Sequence, residues 1–256
     1  NIAAILSGVK ARFSIIEGLG NSRTSIENSF VYKLLFIAAY KIALFGSNKI
    51  FFTNKEDLSF FLTKKLINKN QSVYWGGIGV NLKYWSCDKT VIAQDKPLKF
   101  IMSTRLLKSK GVLIYLKAAE SIKRKLPNVE FILIGGFDDN PSSVSEGDLY
   151  YYVNKEIVDW SGNVNNVKEY LCNSDVFVLP SYYGEGVPRS IQEAMACSMP
   201  IITTDWVGCR ETVNDKENGI LIPIKNVDAL VDAMFYYINN RKFIGVHGSK
   251  SRKMAC

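Results

Sequence analysis

Two acidic residues eight positions apart, Glu185 and Glu193, bracket the run Gly184-Glu185-Gly186-Val187-Pro188-Arg189 and the residues that follow it. The first sits on a glycine-rich loop, the second inside the helix that this loop opens. Pro188 suits the first helical turn, where its missing N–H costs nothing. A helix start presents backbone amides and favours negative charge. Carboxylates that accept from hydroxyls, set beside amides that donate to phosphate oxygens, suit a ligand carrying both groups. A nucleotide-sugar is such a ligand.

A second group of charges lies at Thr104-Arg105-Leu106-Leu107-Lys108-Ser109-Lys110-Gly111, directly after the apolar run 98–103. In open α/β sheets, ligands collect outside the carboxyl ends of the strands. An Arg fork matches phosphate oxygens and a Lys acts there as a point charge. Taken alone, the pattern reads equally well as a solvated helix entrance.

The spacing of the two Glu residues resembles the E-x7-E signature of the retaining GT4 glycosyltransferases, which have the GT-B fold. The likeness extends through Leu179-Pro180-Ser181 on one side and the run from Ala196-Cys197-Ser198-Met199-Pro200 to Asp205 on the other. Gly208-Cys209-Arg210-Glu211-Thr212-Val213 and Asn218-Gly219-Ile220-Leu221-Ile222-Pro223 continue it. A pair of Glu residues eight apart is weak by itself; the whole series in this order is specific. The branch it resembles builds bacterial capsular, O-antigen and lipid-linked oligosaccharides.

That resemblance implies an α/β protein of the GT-B class with two Rossmann-like domains, the N-terminal one incomplete. The expected division is 1–86 for a partial acceptor domain, 87–96 for a linker and 97–256 for the nucleotide-sugar domain. It implies that Arg105 and Lys110 neutralise the donor diphosphate and that Glu193 grips the ribose hydroxyls. Glu185 would bond the transferred sugar, with the amides of Gly186 and Val187, and Ile191 would pack on the nucleoside. Gly135, Gly136, Asn163 and Val164 would hold a uracil, largely through backbone atoms, and Gly208 and Glu211 would wall the phosphates. Many relatives carry a catalytic-side His in the acceptor domain. Here Glu17 stands in that region, as an acceptor contact or weak base, or equally as a plain strand-end residue. The single histidine, His247, reads as a surface residue. The implied reaction transfers a hexose-type sugar from a UDP-sugar, with retention and no metal, to a hydroxyl of a lipid-linked or polysaccharide acceptor. A UDP-sugar 2-epimerase-like enzyme and a non-catalytic nucleotide-sugar-binding module are the alternatives.

Composition agrees with a globular chain: 256 residues, 47% hydrophobic and 22% charged. The net charge of +8 suits diphosphates or an anionic membrane surface. Lys and Arg are scattered and no nucleic-acid signature appears, so nucleic acid ranks last as a partner. With no C-x-x-C pair and one His, zinc is not expected. An Asp-x-Asp triplet is also lacking, against the metal-dependent GT-A class. The five cysteines suggest no disulfide framework and read as free thiols in a reducing cytosol. The chain opens in apolar sequence with no leader pattern and reads as a fragment. Its longest apolar stretch, within 34–45, is interrupted by Lys41 and too short to span a bilayer. Tyr32, Lys33, Tyr40 and Lys41 border that stretch, which packs on its own domain or touches a lipid-linked acceptor or the inner membrane face.

These residues need a scaffold, and apolar runs alternating with helical periods supply one from residue 97 onward. Strands are expected at 98–103, 129–134, near Trp160, and at 175–179, 200–204 and 219–222. Helices are expected at 111–125, 150–158, 167–172, 188–197 and 227–239. The run 175–179 is almost wholly apolar, as in a strand buried on both faces. Ahead of the linker, strands are expected at 14–16, 49–53 and 72–74, with helices across 30–45 and 58–66.

Overall fold

The computed structural model describes residues 1–20, 22, 29–87 and 96–255. It divides into two compact units, one of Asn1–Ile78 with Tyr183–Pro188 and one of Gly79–Tyr182 with Arg189–Cys256. The first cut falls ahead of the 87–96 stretch expected to be the linker, of which 88–95 lie outside the described residues. The reason is apolar: Trp85 is buried in the second unit's core, and Val80, Leu82 and Cys87 pack against it.

The first unit runs α1 (Ile2–Leu6), β1 (Phe13–Ile16), α2 (Phe30–Ala43), β2 (Lys49–Phe52), α3 (Lys55–Thr63) and β3 (Ser72–Tyr74). Its three strands form a parallel sheet in the order β1-β2-β3, with Ile16 opposite Phe52 and Phe52 opposite Tyr74. Helix α3 starts where the Asn54 side chain accepts from Asp57 N at 2.7 Å, and Glu56 and Asp57 complement the helix dipole in its first turn. Phe52, Phe61, Ile50 and Phe36 make the core, with the Phe52 and Phe61 rings edge to face at 5.2 Å. Helix α2 gives only Phe36 fully to that core, while Phe30, Val31, Leu34, Leu35 and Ile42 are exposed.

The second unit runs β4 (Lys99–Ser103), α4 (Val112–Lys123), β5 (Glu130–Ile134), α5 (Glu146–Asn154), β6 (Asp159–Trp160) and α6 (Val167–Cys172). It continues with β7 (Val176–Leu179), α7 (Arg189–Ala196), β8 (Ile201–Thr204), β9 (Gly219–Ile222), α8 (Val227–Asn239) and α9 (Lys242–Met254). The six strands are parallel, in the order β6-β5-β4-β7-β8-β9. Counted from β4, this is the 3-2-1-4-5-6 order of a Rossmann sheet, whose topological switch point lies between β4 and β7. Strands β7 and β8 are buried along their whole length, as the apolar run 175–179 suggests. Helix α5 begins four residues before its expected start, because Ser145 caps it by accepting from Asp148 N at 3.1 Å.

The readings of the cysteines and of His247 are overturned. Cys87 and Cys172 are joined in a disulfide, with Cα atoms 5.4 Å apart, while Cys197 and Cys209 are buried outside any disulfide. Partners separated by 85 residues leave no local spacing to notice; the fold brings them within bridging distance. Cys256 lies outside the described residues. His247 is 2% exposed, not a surface residue. Its Nδ1 lies 2.8 Å from the Tyr237 hydroxyl, and burial lowers its pKa, helped by the charge of Lys250.

Candidate functional site

The switch point is built by the chain leaving β4 and the chain leaving β7. After Ser103 the backbone turns through Arg105 and the short 3-10 turn Lys108–Lys110 into Gly111, the N-cap of α4. Gly111 has φ +79, and a Cβ there would run into the carbonyl of Pro180, just beyond β7. Tyr182 N donates to Ser109 O at 2.8 Å, a second tie between the same two segments. Only a residue without a side chain lets the backbones approach so closely. Lys110 is held here at 9% exposure.

Arg105 lies at the rim, its side chain 61% exposed, and its Nη1 donates to Asp138 Oδ2 at 2.8 Å. The Asp138 carboxyl is held below the usual range, first by the Asn140 N–H and then by Arg105. Asp138 follows β5 and was not singled out in the sequence, since nothing in its spacing ties it to Arg105. Ser109 lies inside the charged run, where its sequence neighbours give it no separate role. Its Oγ is buried and has no hydrogen-bond partner among the described residues.

On the far side of the switch point, α7 turns its apolar face inward through Ile191, Ala194 and Met195. Ile191 is 0% exposed within the core, so in this arrangement it offers no surface for a nucleoside, contrary to expectation. Glu193 is largely buried, and its Oε1 accepts from Arg189 Nε at 3.1 Å, an i,i+4 pair. Burial raises its pKa, and Arg189 opposes that rise.

The nucleobase candidates also gather at strand ends. Gly135 has φ +136, and a Cβ on it would strike the carbonyl of Thr104. Its N–H donates to Gly162 O at 2.8 Å, and its carbonyl accepts from Trp160 Nε1 at 2.8 Å. A Cβ on Gly136 would meet the Asn163 side chain, and Leu106 N donates to Gly136 O at 3.1 Å. Gly135, Gly136, Asn163 and the Arg105 loop are thus brought together, while Val164 packs against the core. Gly208, φ +78, opens the 3-10 turn Cys209–Thr212 that contains Glu211, beyond β8.

Within the first unit, Glu185, Gly186 and Val187 lie on a loop that meets Glu17-Gly18-Leu19-Gly20 backbone to backbone. A Cβ on Gly18 would lie 2.5 Å from Gly186 N, and one on Gly186 would strike the Glu17 carbonyl and Thr53 Oγ1. Gly20 N donates to Gly184 O at 2.5 Å. The two loops therefore set Glu17, which is exposed, and half-buried Glu185 on neighbouring stretches of chain.

Parallel α/β units of this kind have the GT-B glycosyltransferase fold. Residues 88–254 match the family model of the glycosyl transferases group 1, and the chain belongs to that family. It is 29% identical over 258 residues to the N,N'-diacetylbacillosaminyl-diphospho-undecaprenol alpha-1,3-N-acetylgalactosaminyltransferase of Campylobacter jejuni, covering 94% of this chain and 65% of the relative. It is 25% identical to the capsular polysaccharide biosynthesis glycosyltransferase CapM of Staphylococcus aureus, covering 97% of this chain and 67% of the relative. The chain thus spans about two thirds of the length of these relatives. Among solved structures, Anabaena Alr3699/HepE in complex with UDP superposes with a TM-score of 0.82 at 17% identity, over 99% of this chain and 69% of that one. No described helix is long and apolar enough to cross a membrane.

Proposed function

We propose that this chain belongs to a glycosyltransferase that moves a hexose-type sugar from a UDP-sugar to a hydroxyl of a lipid-linked acceptor, with retention and without a metal, in surface polysaccharide synthesis. The observation that carries the reading is the switch point of the second unit, where Arg105 and Lys110 follow its first strand and the Glu193 helix follows its fourth. UDP as the nucleotide draws support from the HepE complex, and the acceptor class from the name of the Campylobacter relative.

Each residue has a task in this reaction. The bond between the sugar and the β-phosphate breaks as negative charge grows on the departing phosphate. Cations placed in advance stabilise that charge more than the ground state. Arg105 and Lys110 fill this role, Arg105 by exchanging the Asp138 carboxylate for phosphate oxygens. Glu193 accepts from the ribose hydroxyls and Glu185 from those of the transferred sugar. The incoming hydroxyl attacks on the face the phosphate leaves and gives its proton to a β-phosphate oxygen. The acceptor side is assigned to Glu17, and contact with the membrane is peripheral, at its inner face. Arg105→Ala should lower UDP-sugar turnover by about 10²–10³-fold, the scale of losing one preorganised charge donor. Equal rates for variant and parent in a donor-hydrolysis assay would refute the assignment.

A further inference from the structure

We propose that Cys87, Cys172 and Cys197 form a binding site for a soft, thiophilic metal ion once the Cys87–Cys172 disulfide is reduced. The three sulfur atoms lie within 4.8 Å of one another, and no His, Asp or Glu joins the group among the described residues. Three thiolates around one ion, at a metal–sulfur distance of about 2.3 Å, stand about 3.8–4.0 Å apart. The 4.8 Å bound on the cluster lies within about 1 Å of that spacing, and the bonded pair must open to reach it.

Cys172 ends α6, and Cys197 follows α7 with its N–H on the Glu193 carbonyl at 3.0 Å. Cys87 sits two residues beyond Trp85, a residue buried in the core. Arg252, on α9, donates to the carbonyls of Trp85 at 2.6 Å and Leu82 at 2.8 Å, and also to that of Ala196. One guanidinium therefore ties the segment leading to Cys87 to the residue before Cys197.

An all-sulfur donor set selects thiophilic ions such as Cu(I) or Zn(II) over Mg(II) and Ca(II), which prefer oxygen. Three ligands suit a trigonal ion, or a tetrahedral one that completes its shell with water. The chemistry balances with a dithiol as reductant. It passes two electrons and two protons to the Cys87–Cys172 bond and closes to its own cyclic disulfide. The ion then displaces the thiol protons as it binds.

The test uses Cd(II) alone as probe, since its thiolate bonds absorb in the ultraviolet. Chain reduced with dithiothreitol and freed of it under anaerobic conditions is titrated beside the oxidised chain and the Cys197→Ala variant. The reduced parent should take up one Cd(II) per chain with thiolate-to-metal absorbance, and the oxidised chain should take up none at this site. Cys197→Ala should bind about tenfold more weakly or worse, since loss of even an outer-shell partner costs 10–100-fold. Cd-edge X-ray absorption on the reduced parent should count three sulfur ligands, which settles the matter even if the variant fails to fold. No uptake by the reduced chain, equal affinity in the variant, equal uptake by the oxidised chain, or fewer than three sulfurs would overturn the proposal.

Discussion

At the scale of single residues, Arg105 and Glu193 are each already held by a counter-charge. Arg105 is paired with Asp138 and Glu193 with Arg189. For exposed Arg105 such a pair contributes little, so it can be exchanged for a diphosphate. Asp138→Asn should therefore tighten UDP binding modestly in a calorimetric titration. Weaker binding would show that Asp138 positions Arg105 instead of competing for it. Glu193→Gln should cost about 1.5–3 kcal/mol of donor affinity, the worth of hydrogen bonds to a charged group. Burial raises the Glu193 pKa, so its protonated form persists to a higher pH than for an ordinary glutamate. Since the ionised form accepts the ribose hydroxyls, donor affinity should fall on acidification through that raised pKa. The fall should vanish in Glu193→Gln, and an unchanged profile would remove Glu193 from the site.

At the scale of elements, the site depends on how closely the chain after β4 approaches the chain after β7. Gly111→Ala would place a side chain at φ +79 against the Pro180 carbonyl. Positive φ alone costs a non-glycine residue about 1–3 kcal/mol, and the clash adds to it. The melting temperature should drop by several degrees, and an unchanged value would mean that the two segments do not meet as described. The strands around this point were legible because β4, β7 and β8 are short apolar runs, buried and bounded by turn residues. Helix α9 was not legible. It packs through small and polar residues, with Gly248 against the Ser198 carbonyl and Ser251 bonded to Asn218 O at 3.0 Å, so it shows no apolar stripe. The same contrast holds in the site. Arg105, Lys110 and Glu193 stand in a recognisable series, whereas Asp138 acquires meaning only when β5 is laid beside β4, and Ser109 only when the chain after β7 reaches it.

At the scale of the whole molecule, a disulfide and a buried histidine contribute to the stability of the second unit. The Cys87–Cys172 bridge closes a span of 85 residues, and its reduction should cost about 2–4 kcal/mol, read as a lower melting temperature in dithiothreitol. His247 is held neutral against Tyr237, with its pKa lowered. Its share of stability is present above the unfolded-state pKa of about 6.5 and is lost as pH falls toward the lower folded value. The melting temperature should decline over that window in the parent and flatten in His247→Gln. The central claim is that the second unit holds a nucleotide diphosphate at its switch point through Arg105 and Lys110. Calorimetry with UDP on the parent and on an Arg105→Ala/Lys110→Ala variant of matched melting temperature tests it most directly. Saturable binding to the parent and a loss of about 100-fold or more in the variant is the predicted result, from two charge-assisted contacts of about 1.5–3 kcal/mol each. Binding of equal strength in both would contradict it.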